Sequence, residues 1–365
     1  MKKYKLAFNA KGSFNIASYR IPFIWIKSYL SENYICVSDA IDNSIDIYFC
    51  KAGQGIARKI REKIPNAFIV LFKPHLEIST HIEFLKPFKS IRSLVYLFIE
   101  LIFKKKYKSR LEDINASSVL IADSKKLQLH YQTNTKKKVL YFRILEKLDN
   151  LELLNRKGLR KKQQVLFLYF GSITHYNESY PQLQSILRFL SQKKAVKFVC
   201  ISSLYDLKKK INIKNVDSFY YQYDYQLLMK YLRLADIGYV PHFLRPRINL
   251  LNEINKLFNH SLNQLDLYSI TEKNSSNAGR AYLYAAFGVP FLSHPTREIV
   301  ADFSETVELP FPNTTNEAIW LLNKLIVNDD FYLSISQSLQ KKSQQLTFEN
   351  ETDNLMKSII DFVSE

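Results

Sequence analysis

The sequence predicts an α/β protein of two domains, each a parallel sheet covered by helices. Short apolar runs alternate with longer helical ones, which is the pattern of βαβ units. That alternation occurs twice, with one break near residue 150. The chain has 365 residues, of which 47% are hydrophobic and 24% charged, enough to bury two cores and wrong for a disordered chain.

In the first half, 4–9 reads as a strand and 19–30 as a helix, with Pro22 in its first turn. Strands follow at 45–50 and 67–72, with a helix at 53–63 between them. A helix at 94–103, a strand at 118–122, a helix beginning at 127–131 and a strand at 138–142 complete the series. Residues 155–164 (NRKGLRKKQQ) are basic and polar and read as a linker or exposed turn. The second series has strands at 165–169, 196–201, 237–240 and 290–293. Its helices fall at 180–192, 224–235 and 279–287, with two more from 315 onward. The domains expected are 1–155 and 156–345, with 346–365 a terminal helix packing back on the first. The stretch 243–272 is a long insertion of the kind that forms lids or mobile segments.

Composition narrows the function classes. The formal net charge is +18, which suits nucleic acid, an anionic membrane face or an anionic small substrate; basic runs are also ordinary solvated helix faces. No nucleic-acid motif accompanies the charge, so nucleic acid is not the expected partner. Cys36, Cys50 and Cys200 have neither disulfide nor metal-ligand spacing. With no apolar leader at the N-terminus, a cytoplasmic protein is expected. The run 91–108, an apolar stretch ending in Lys104, Lys105, Lys106 and Lys108, reads either as a buried helix with a basic end or as a contact with an anionic membrane.

The segment most suggestive of chemistry is 273–290, KNSSNAGRAYLYAAFGVP. Gly288 suits the left-handed residue after a helix, and Ser275, Ser276 and Asn277 are N-cap types. Free N–H groups at a helix start, beside Lys273 and Arg280, suit a diphosphate; the plainer reading is a capped helix with solvated charges. Gly171 and Ser172 close a strand where backbone can approach phosphate. His75, after the strand 67–72, is a candidate base at a strand's carboxyl end, and His242 a donor contact. Tyr221 and Tyr223 are candidates to stack on a nucleotide base, against a plainer role in packing. No GxGxxG fingerprint follows a strand, so no bound dinucleotide is expected.

Residues 273–290 resemble the donor-binding segment of GT-B glycosyltransferases of the group 1, or family 4, type. Glu298–Asp302 followed by 307–310 resembles the turn and strand that come next in that family. Residues 227–241 resemble its helix, Ala-Asp turn and strand, and 165–172 the first strand and loop of its donor domain. Ser18–Ile21 and 119–124 are thinner matches in the first half. The resemblance implies two Rossmann-like domains facing across a cleft. It implies hexosyl transfer from a nucleotide-sugar to a saccharide or lipid-linked acceptor, with no cofactor and no metal. One departure stands out: many retaining members carry a glutamate where this chain has Leu283. Other readings are a sugar-nucleotide epimerase, a catalytically inactive scaffold that binds nucleotide or glycan, and a basic nucleic-acid-binding protein.

Overall fold

The computed structural model describes residues 4–72, 109–148, 153–240, 278–293, 297–304, 311–312 and 314–364. They form two compact units. The first holds the described residues of Met1–Lys147 with Phe348–Glu365, the second those of Leu148–Leu265 and Ala278–Thr347.

Unit one is built on a six-stranded sheet, order β2-β1-β3-β4-β5-β6, with every pair parallel. The strands are β1 (Lys5–Asn9), β2 (Ile35–Ser38), β3 (Ile47–Lys51), β4 (Ile69–Phe72), β5 (Val119–Ala122) and β6 (Lys138–Tyr141). Side chains alternate across the strands. One face carries an aromatic row in which Phe8 stacks on Phe49 at 4.6 Å and Phe72 meets both Phe49 and Phe142 at 6.1 Å. The other face buries Ala7, Tyr48, Cys50 and Leu71. Burial pushes the Cys50 thiol up, as it does Cys200 in unit two, which marks both as inert packing groups.

The expected helix at 19–30 is three pieces: α1 (Ala17–Tyr19), a π-helical segment Arg20–Trp25, and α2 (Ile26–Leu30). Pro22 has no N–H to give an α-helical ladder, and the widened turn lets the Ile26 amide bond the Ile21 carbonyl instead. Arg20, fully buried, closes this region. Its guanidinium pairs with Glu146 at 2.5 Å, donates to the Phe14 carbonyl at 2.7 Å and lies over the Trp25 ring.

The expected helix at 53–63 begins only at α3 (Ile56–Lys63). Gly53 (φ 82°) and Gly55 (φ 68°) are left-handed, so their amides and that of Gln54 converge in a nest. The Asp113 carboxylate fills it, accepting from Gly53, Gln54 and Gly55 at 2.9, 3.1 and 2.9 Å. Helix α4 (Lys125–Asn134) starts from a Ser124 cap that accepts from the Leu127 amide.

Unit two carries a five-stranded parallel sheet, order β11-β10-β7-β8-β9. Its strands are β7 (Gln164–Gly171), β8 (Ala195–Ser202), β9 (Val216–Gln222), β10 (Ile237–Val240) and β11 (Phe291–Ser293). The helices are α5 (Ile173–Lys193), α6 (Tyr225–Leu234), α7 (Gly279–Ala286), α8 (Arg297–Phe303), α9 (Thr315–Val327) and α10 (Asp329–Gln345). Glu298–Asp302, expected as part of a turn, lies in α8. Residues 155–164 are not a free linker: Arg156 bonds the carbonyls of Leu232, Ala235 and Phe287, and Leu159 is fully buried.

The last helix, α11 (Phe348–Ser364), packs within unit one. Phe348 meets Trp25 and Tyr29, Phe362 meets Phe68, and Glu351 pairs with Arg143 at 2.8 Å. Among the described residues no helix is long and apolar enough to cross a membrane.

Candidate active site

In unit two, β7 comes first in sequence but lies third in the sheet, with β8 on one side and β10 on the other. Chain direction across the sheet reverses there. In open α/β sheets the crevice at the carboxyl ends of such a strand pair is where ligands bind. The residues at that point are the end of β7, the start of α5 and the start of α7.

Gly171 ends β7 with φ 130°, a conformation that side chains rarely adopt. A Cβ on it would stand 3.2 Å from both Cδ and Nη1 of Arg280. The arginine therefore lies flat against bare backbone. Ser202 Oγ, at the end of β8, donates to the Gly171 carbonyl at 2.6 Å and fixes the turn. Ser172 follows, exposed, at the N-cap position of the 21-residue α5, and its side chain makes no capping bond. The Tyr169 hydroxyl and the amides of His175 and Tyr176 all donate to the Ser172 carbonyl. Among the described residues no N-cap side chain closes the amino end of α5, which lies next to the glycine that Arg280 covers; a helix amino end and a guanidinium both favour an anion.

Helix α7 is held down by Tyr284. Its ring lies across β10 where Gly238 leaves room: a Cβ at Gly238 would come within 2.6 Å of the ring. Its hydroxyl donates to the Leu168 carbonyl of β7 at 2.7 Å. At its far end the helix closes with left-handed Gly288 (φ 59°). There the Gly288 and Val289 amides return to the Ala285 and Tyr284 carbonyls, the double bond of a Schellman motif. At its start the N-cap residue is Ala278, which has no capping side chain. The expected caps, Ser275, Ser276 and Asn277, precede it and lie outside the described residues.

Burial pushes the phenols of Tyr169, Tyr239 and Tyr284 up, and the nearby Arg280 charge pulls each partway back. All three stay neutral in the physiological range, so the phenols beside Arg280 offer it hydroxyls and no charge. Gly238→Ala tests the seating of this helix. The added methyl cannot be met by a swing of a ring anchored at its hydroxyl. We expect overpacking of about 1–3 kcal/mol, read as a lower thermal midpoint.

Of the sequence-derived candidates, the fold brings Gly171, Ser172 and Arg280 together. Tyr223 lies on the same carboxyl edge, two strands away, where its amide donates to the Ser202 carbonyl at 2.9 Å. Tyr221 packs on Tyr231 at 5.5 Å with their hydroxyls 3.0 Å apart, and burial with that bond pushes Tyr231 up to about 12. His75, His242 and Lys273 lie outside the described residues, as does 91–108. Sequence reasoning missed Ser202, Gly238 and Tyr284. A glycine inside a strand is a sign of close approach, so Gly238 was available as a signal. Leu283, which stands where the family that the sequence resembles often has a glutamate, is buried. The buried acids nearby in sequence are Glu298 and Asp302, the latter accepting from the Tyr282 hydroxyl.

No protein-family model and no curated protein sequence matches the chain. Solved structures do. The trehalose-6-phosphate synthase OtsA superposes with a TM-score of 0.55 at 13% identity, covering 86% of this chain and 72% of its own. The Anabaena protein HepE, solved with UDP and glucose, gives 0.53 at 10% identity over 98% of this chain and all of its own. The fold is GT-B. TarM gives 0.54 at 12% identity, covering 92% of this chain and 57% of its own. The GT-B likeness rests on two parallel, Rossmann-like sheets and extends over nearly the whole chain, while the low identities mark a diverged sequence. It establishes architecture; chemistry has to be argued from the site.

Proposed function

We propose that this chain transfers a hexosyl group from a nucleoside-diphosphate sugar to a hydroxyl of a saccharide or lipid-linked acceptor. The observation that carries the reading is Arg280 lying against the bare backbone of Gly171 at the β7–β10 switch point, next to the amino end of α5. Glycosyl transfer builds negative charge on the departing diphosphate. Fixed cations and N–H groups aimed at that charge lower the barrier without reorganising. Arg280 supplies the cation and the first turn of α5 the N–H groups. Lys273 and the amides of Ser275, Ser276 and Asn277 are assigned to the same diphosphate, His242 to the donor, and Tyr221 or Tyr223 to the base. His75 is assigned as the base that takes the acceptor proton. Neither metal nor cofactor enters the proposed reaction, and polysaccharide assembly in the cytoplasm is the setting that fits it. HepE, a structural neighbour solved with UDP and glucose, supports a uridine nucleotide as the first donor to try.

The test is thermal melting of the full chain with UDP, GDP, ADP and CMP. A ligand at about 100 times its Kd stabilises the native state by about 2.7 kcal/mol. One nucleotide is expected to raise the midpoint by several degrees, and Arg280→Ala to abolish that rise while leaving the ligand-free midpoint nearly unchanged. No rise with any nucleotide at millimolar concentration overturns the reading. Buried Leu283 in place of an acid favours a second one, a nucleotide-binding scaffold without activity. A rise with one nucleotide, and no release of that nucleotide from its glucose and N-acetylglucosamine conjugates, selects it.

A further inference from the structure

The edge of the second sheet opposite Gly171 is where strands begin and helices stop: α5 at Lys193, α6 at Leu234, α9 at Val327. Residues 153–163 run across these ends and are tied to each. Arg156 bonds the α6 end through the Leu232 and Ala235 carbonyls. The Arg160 amide donates to Asp329 Oδ1 at 2.8 Å, just past α9, and Lys194 Nζ, just past α5, donates to the carbonyls of Arg160 and Lys162 at 2.6 and 2.9 Å. These bonds gather Lys157, Arg160, Lys161, Lys193 and Arg233 on one edge. All five are exposed, and among the described residues none forms a salt bridge. Asp217 and Asp330 are exposed acids beside them, so the cations prevail.

Cations at helix carboxyl ends complement the helix dipoles. That does not account for three exposed aliphatic side chains at the same helix ends and at the start of the segment that crosses them: Leu153 is 60% exposed, Leu234 52% and Val327 53%. We propose that this edge docks on an anionic lipid bilayer. Aliphatic groups among lysines and arginines suit the boundary between headgroups and acyl chains, where the cations meet lipid phosphate and the leucines leave water. A nucleic-acid backbone would engage the cations alone, since phosphate contacts need no aliphatic side chain. The net charge of +18 adds attraction at longer range. Docking here leaves the carboxyl edge of the same sheet uncovered. The inference stands on this surface and does not depend on glycosyl transfer.

The test uses the full chain and sedimented vesicles at about 0.1 M salt, where the Debye length is about 10 Å. The chain is expected to co-sediment with phosphatidylcholine vesicles containing phosphatidylglycerol, and much less with phosphatidylcholine alone. The variant R160E/K161E/K193E should lower vesicle partitioning at least about tenfold, at about 1 kcal/mol per charge near the surface. A control of equal charge change elsewhere, K59E/K136E/K357E, should retain most of the binding. The pair L153S/L234S should also weaken it, and keeps the test available if the charge variant fails to fold; melting curves of each variant show which is the case. Equal loss in the edge and control triples would mean bulk charge alone and overturns the proposal. So does equal sedimentation with neutral and anionic vesicles, absence of sedimentation, or edge-dependent binding to a duplex oligonucleotide without binding to vesicles.

Discussion

Asp113→Ala is expected to destabilise unit one by about 3–4 kcal/mol, the largest single effect the structure predicts there. The carboxylate is fully buried. Besides the three amides of Gly53, Gln54 and Gly55, Oδ1 accepts from the Arg58 amide at 3.3 Å, so one side chain organises both the β3 loop and the first turn of α3. Hydrogen bonds to a charged group contribute about 1.5–3 kcal/mol each, and four converging on one group do not add in full. Removing the carboxylate leaves a nest of N–H dipoles pointing at nothing while the two left-handed glycines still bear their conformational cost. Asp113→Asn keeps one oxygen for the nest but turns an NH2 toward a donor, and should lose about half as much. The chain has two tryptophans, Trp25 in unit one and Trp320 in unit two. In a Trp320→Phe background, urea unfolding followed by fluorescence reports unit one alone. An unchanged midpoint for Asp113→Ala would mean that water replaces the carboxylate at no cost.

Wherever strands are buried on both faces, the sequence was transparent. β3, β4, β5 and β7 read as unbroken apolar runs because a parallel sheet covered by helices asks for nothing else. The two strands without a sequence signal, β2 and β9, each lie at one edge of their sheet, half exposed, with no uniform apolar run to show. Helix α5 starts seven residues before its expected beginning. Pro181 hid that stretch, since a proline argues for a boundary, yet its ring is exposed and the helix passes through it. Gly53 and Gly55 read locally as part of a helix because their left-handed role depends on Asp113, about sixty residues away. The site divides the same way. Gly171 and Arg280 were legible because each is a local sign, a glycine closing a strand and an arginine one turn into a helix. Their meeting, and the Tyr284 strut across Gly238 that makes it possible, belong to packing between segments with no local trace.

Arg156→Met should be comparably severe in unit two, about 3 kcal/mol. A basic residue in a polar, lysine-rich stretch looks expendable, but its guanidinium makes four bonds to three carbonyls. Nε and Nη2 reach Phe287 at 3.0 and 2.6 Å, Nη1 reaches Ala235 at 2.6 Å, and Nη2 also reaches Leu232 at 2.9 Å. Those carbonyls are at the carboxyl ends of α7 and α6, which carry about half a negative charge each and lack intrahelical partners. A single planar cation thus closes two helices whose other ends point toward the candidate donor site. Burial pushes the guanidinium down from its usual range, opposed by Tyr332 and Asp236, yet it remains charged at any pH at which the protein folds. Methionine fills similar volume, so the variant isolates the lost capping from lost packing. Arg156→Lys keeps the charge as one point and cannot span both helices, so it should recover less than half. The readout is urea unfolding followed through Trp320 in a Trp25→Phe background. Because α7 carries Arg280, a second consequence separates capping from a generic loss of stability. At a urea concentration where unit two is still folded, Arg156→Met should already weaken nucleotide binding, since a helix released at its carboxyl end no longer holds its first turn against Gly171. Stability lost with nucleotide affinity intact would show that Tyr284 alone suffices to seat α7.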